Sequence, residues 1–172
     1  DRRKALAAAE IAVARFPMKR VLKRELASFL DDYETDPLAE DIAWTLHRLG
    51  SSDGTKFLTA DLKASVRANP SDYRARFRMG TRYVELAMFS EGYKEFRAGI
   101  KSLEGTPQYN RVERLTWVYA SRAACGSRHL NEGIEWLKNA RMSPRELEKY
   151  RDLPEFEAAL AKPAFKKAFG VQ

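Results

Sequence analysis

Four prolines at near-even intervals restrict this chain more than any other feature. Pro37, Pro70, Pro107 and Pro144 are separated by 33, 37 and 37 residues. Proline breaks a helix interior but suits the first turn, so each one marks the end of one helix and the start of another. Between consecutive prolines lie two stretches with apolar residues at three- and four-residue spacing, parted by a short break. The expectation is one helix–turn–helix unit per interval, repeated along the chain. A single unit cannot bury its apolar face. Units of this kind stack, and the stack leaves a groove suited to a partner rather than a catalytic pocket.

The totals agree with a folded chain. Of 172 residues, 44% are hydrophobic, enough to build a core. No long Val/Ile-rich alternation appears, so almost no strand is expected. Asp53-Gly54 falls between helical patterns and reads as an interhelix turn. The net charge of +7 is spread out, and no proline-bounded interval holds more than three units of it. That favours acidic partners mildly. A nucleic-acid surface would concentrate its charge more, so nucleic acid is the lesser expectation. One cysteine, Cys125, excludes an intrachain disulfide and fits a reducing compartment. No stretch of about 18 apolar residues exists to span a membrane. A cytoplasmic or otherwise soluble location is expected. In residues 1–16, Glu10 and Arg15 interrupt the apolar run, which suits an amphipathic helix better than a signal peptide. The sequence starts at Asp1 without Met, as an excised or processed piece would.

The chain divides into four expected helix pairs and a tail. Residues 2–16 and 18–33 form the first pair, with Pro17 at the turn. Asp36 is expected to cap the second pair with Pro37 at its first helical position. Gly50 stops that pair's first helix, and residues 51–54 form its turn. The third pair is capped by Ser71 or Asp72 and turns at Phe89-Ser90, with Ser90 capping the second helix. The fourth runs from about Tyr109 to Arg141 and breaks at Gly126-Ser127. Ser143 and Glu146 have capping-box spacing. In the tail, Pro154 and Pro163 are expected to start short helices that cover the open end of the stack.

These residues resemble the tetratricopeptide repeat (TPR) family. In residues 73–103, Arg76, Met79, Gly80 and Tyr83 match the family's first-helix pattern, and Phe89, Gly92, Phe96 and Gly99 its second-helix pattern. In residues 117–140, Trp117, Ser121, Ala124, Leu130, Gly133, Leu137 and Ala140 match moderately. Residues 42–70 match more weakly, with Leu58 where a small residue is usual, and residues 5–37 match only in rhythm. Seven extra residues separate the third and fourth units. The resemblance implies an all-α, right-handed superhelix of stacked helix–turn–helix repeats over 1–143, closed by a C-terminal capping segment over 144–172. It also implies a non-enzymatic scaffold that holds a protein or peptide in a concave groove lined by first helices. The residues expected to bind a partner are Arg74, Phe77, Arg78, Thr81 and Glu85, joined by Tyr119 and Arg122 from the next unit. Arginines there would grip carboxylates. Phe77 and Thr81 stand where chaperone-tail binders carry a Lys/Asn clamp, so that subtype is disfavoured. Self-association through an open end is a further expectation. A nucleic-acid-associated repeat, and an accessory domain of a larger enzyme or of a secretion or assembly system, are the alternatives.

No catalytic set stands out. Cys125 and His129 have helical spacing for a nucleophile–base pair, but Gly126-Ser127 should break the helix between them. Cys125 reads as a packed small residue. One cysteine with His47 and His129 is too few ligands for zinc. There is no phosphate-binding glycine motif. The Asp31-Asp32-Glu34-Asp36 cluster lacks the ligand order of a calcium loop. No cofactor is expected.

Overall fold

The computed structural model describes residues 19–171. These are helical and connecting segments, with no β-strand among the described residues. The all-α expectation therefore holds. The expected helix over 2–16 and the turn at Pro17 lie outside the described residues. The chain divides into two compact units, Asp1–Asp61 and Leu62–Gln172.

In the first unit, α1 (Lys19–Asp32) is followed by α2 (Ala39–Arg48). Pro37 lies in the turn ahead of α2 rather than at its first position, and Leu38 is the N-cap. Asp36 still contributes, because its Oδ1 accepts the Leu38 N–H at 2.8 Å. The unit buries Leu30, Ala39, Ile42, Ala43, Leu46 and Leu58. The next helix along the chain, α3 (Ser52–Ala68), begins inside the segment expected to be a turn and continues past Asp61, the last residue of this unit. Gly54 is thus helical, and its role is packing. A Cβ there would collide with the Ala43 carbonyl and lie 2.6 Å from the His47 N. Two backbones touch where sequence reasoning saw a loop. His47 is half-buried and hydrogen-bonds across the crossing to Thr55 Oγ1 at 2.9 Å.

In the second unit, α4 (Tyr73–Glu85) pairs with α5 (Phe89–Leu103), and α6 (Arg114–Gly126) pairs with α7 (Leu130–Asn139). Asp72 caps α4 by accepting the Arg74 N–H at 2.9 Å. Met88, not Ser90, is the N-cap of α5, because the turn closes two residues sooner than the polar signal suggested. Residues 107–111 form a 3-10 turn after Pro107, and Val112 and Glu113 are extended, so α6 starts later than Tyr109.

The two hairpins correspond at an offset of 41 residues. Gly80 answers to Ser121, Gly92 to Gly133 and Phe96 to Leu137, and all six are buried. A Cβ on Gly92 would sit 3.2 Å from the Gly80 carbonyl, and one on Gly133 would sit 3.5 Å from the Ser121 carbonyl. The helices of each pair therefore cross at the same rung. Phe96 lies against Gly80, where a Cβ would come within 2.8 Å of its ring. At Ser121 the hydroxyl donates to the Gly133 carbonyl at 2.7 Å, tying the crossing shut.

One turn recurs in both units. Gly50, Ala87 and Arg128 adopt left-handed φ values of 73°, 55° and 67°. After each, an N–H bonds back five residues: Ser51 to Leu46, Met88 to Tyr83 and His129 to Ala124, at 2.9, 2.8 and 2.7 Å. This is the Schellman closure of a helix C-terminus. The next helix then starts one residue on, at Ser52, Phe89 or Leu130.

The tail adds α8 (Pro144–Arg151), α9 (Pro154–Glu157) and α10 (Pro163–Phe169), each opening on a proline as expected. Ser143 and Glu146 form the capping box. Phe156, Phe165 and Phe169 join the core that Trp117, Val118 and Leu137 begin. The segment α8–α10 therefore packs as part of the second unit.

Candidate interaction cleft

On α4, Tyr73, Arg74, Phe77 and Arg78 fall at positions that share one helical face. Opposite them stand the 3-10 turn and the start of α6. Together they enclose a cleft of about 510 Å³ lined by these four residues and by Gln108, Arg111, Val112, Glu113 and Thr116. The floor is apolar. Phe77 is buried, with its ring 6.0 Å from Phe96 and 5.7 Å from Tyr73. It fills the space left by Gly99, where a Cβ would come within 2.7 Å of it. The far wall is pinned from behind. Tyr109 packs edge-on against Trp117 at 5.2 Å, and its hydroxyl accepts from Asn139 Nδ2 at 3.1 Å.

The rim is cationic. Arg74 donates to the Tyr73 hydroxyl at 3.2 Å and lies over that ring, without a carboxylate partner among the described residues. Arg78 and Arg111 are exposed, and neither is ion-paired among the described residues. Arg76, one residue away on the helix, is instead committed to Glu95 at 2.8 Å and to the Pro70 carbonyl. Three arginines thus face a space that holds one carboxylate, Glu113.

The structure brings three of the expected residues together here: Arg74, Phe77 and Arg78. Thr81 and Glu85 lie further along α4 and do not line the cleft, and Glu85 sits 3.5 Å from Arg82. Tyr119 and Arg122 form a separate pair on α6, with the guanidinium 5.0 Å from the ring centroid. Arg122 is engaged within the molecule. Its Nε donates to Glu155 of α9 at 2.5 Å, and the two side chains are 16% and 3% exposed. Gln108, Arg111, Val112 and Glu113 were missed because they belong to the connection between hairpins, and Thr116 because it lies in the first turn of α6, just after it. The seven extra residues of that connection were the available signal.

The remaining reactive groups are quiet. Cys125 is buried against Gly133, and desolvation pushes its thiol up to about 12, too high to ionise near neutrality. His129 is not paired with it; the imidazole stacks on Tyr93 at 3.9 Å. Tyr93 is raised to about 12, by burial first and then by its hydrogen bond to Glu132. Among the described residues no three His, Cys, Asp or Glu side chains converge to hold a metal. None of the helices among the described residues is long and apolar enough to cross a membrane.

No protein-family model matches this chain, and neither a curated protein nor a solved structure matches it.

Proposed function

We propose that the chain is a non-enzymatic interaction module whose hairpins are TPR-like repeats of a right-handed superhelical array. It takes an acidic segment of a protein partner into the cleft between α4 and the start of α6. The observation that carries the reading is the pairing of an apolar floor, Phe77, with three arginines that form no ion pair among the described residues. The recurrent Schellman turn and the common crossing rung support the repeat interpretation. Guanidinium groups bind carboxylates through paired, charge-assisted hydrogen bonds. An aromatic floor adds desolvated contact area, which such pairs need at an otherwise wet surface.

The test is fluorescence anisotropy with a labelled peptide that alternates glutamate with tyrosine. Arg78→Ala with Arg111→Ala should weaken binding about tenfold or more, the equivalent of about 1.4 kcal/mol. Replacing Lys94 and Lys101 of α5, exposed and outside the cleft, should change it less than about twofold. Equal losses in both variants would refute the site. Tighter binding to a single-stranded oligonucleotide, with a steep fall in salt, would replace the reading with the nucleic-acid alternative.

A further inference from the structure

The cleft asks for carboxylates around an apolar side chain, and the chain itself carries such a segment. At the end of α1 and just beyond it run Asp31, Asp32, Tyr33 and Glu34. All four are exposed. Tyr33 rests against Phe29, with ring centroids 4.8 Å apart, yet remains 55% exposed. Among the described residues, Asp31, Asp32 and Glu34 form no ion pair. A large aromatic ring left in water among three unpaired carboxylates is the complement of a pocket with an aromatic floor and three unpaired guanidiniums.

We propose that the occupant of the cleft is a second copy of this chain, presenting Asp31–Glu34. This rests on the reading that the cleft takes an acidic segment. Tyr33 of the incoming copy covers Phe77, and its carboxylates meet Arg78 and Arg111. Donor and acceptor surfaces differ, so the contact is head-to-tail, and each copy keeps one free end for the next. Association then grows with concentration and weakens with salt, because the charged contacts lie at the rim.

Two charge-reversed chains test this in analytical ultracentrifugation. One carries Arg78→Glu and Arg111→Glu, and the other Asp31→Lys, Asp32→Lys and Glu34→Lys. Wild type should gain average mass as concentration rises, and lose that gain at about 0.5 M salt. Each variant alone should stay monomeric, while an equimolar mixture should associate again, since opposite charges now face each other. Far-UV circular dichroism confirms that each variant keeps its helices. Should either fail to fold, Tyr33→Ala replaces it, with an expected loss of most of the association. A wild type that stays monomeric at every concentration overturns the proposal, as do variants that associate like wild type. Binding of the glutamate–tyrosine peptide separates the two readings. If the peptide binds a monomeric wild type, only the second-copy assignment falls. If the peptide does not bind either, the acidic-segment reading falls with it.

Discussion

The ion pair between Arg122 and Glu155 gives a demanding test of how the second unit holds together. The Glu155 side chain is 3% exposed, and its carboxylate receives Arg122 Nε at 2.5 Å. Removing the arginine leaves a charge with almost no water and no counter-ion. Uncompensated buried charges cost about 3–5 kcal/mol. Because Arg122 keeps some solvent contact, the lower end applies, about 3 kcal/mol for Arg122→Ala. In a unit of this size that corresponds to a melting point lower by roughly 10–20 °C. The exposed pair Arg97–Glu132 of the same unit is the contrast, and Arg97→Ala should cost under about 1 kcal/mol. The assay is urea unfolding followed by tryptophan fluorescence in a Trp44→Phe background, so that Trp117 and Trp136 report the second unit alone. Arg122→Met combined with Glu155→Leu should return to within about 1 kcal/mol of wild type, since apolar packing often replaces a buried pair without loss. A cost below about 1 kcal/mol for Arg122→Ala would refute the argument, and so would a double variant no better than the single.

Three further outcomes are open to measurement. Ala87→Gly and Arg128→Gly, at left-handed positions, should each stabilise by about 0.5–1 kcal/mol in the same unfolding assay, whereas Gly105→Ala, at a left-handed position of the same unit, should do the reverse. Cys125 should resist a thiol reagent at pH 8 in the native chain and react at once in denaturant; a rapid native reaction would contradict its burial and raised pKa. Glu146 is held below its usual 4.5 by the Ser143 backbone N–H, then by the Ser143 hydroxyl and by Arg114. A depressed carboxyl lends stability above its unfolded value and loses it as pH falls through the folded value. Carbon-detected titration should therefore place Glu146 below 4.5, and Ser143→Ala with Arg114→Ala should raise it only part of the way, because the backbone N–H of residue 143 is kept.

Helices and their order were legible because apolar periodicity and proline placement are local signals. Pro144 shows the favourable case, with the cap, the proline and the glutamate all adjacent in sequence and all used. Gly54 shows the opposite. Next to Asp53 it has the chemistry of a turn, yet a backbone distant along the chain claims it, and nothing local records that. Phe77, Arg74 and Arg78 were legible as one face of one helix. The other wall of the cleft was not, because an extended connection carries no period from which facing residues can be inferred. Arg122 was legible as an exposed-looking helix arginine. Its partner Glu155 lies 33 residues on, and only tertiary packing joins them.

The connection at residues 104–113 has an evolutionary implication. It sits outside the crossings that set the hairpins, yet it supplies Gln108, Arg111 and Val112 to one wall. Tyr109 and the 3-10 turn anchor it from the inside, so its outward residues can be exchanged without disturbing that anchor. A lineage can thus retune what the molecule recognises by editing a few positions of a tether, while inheriting its architecture intact.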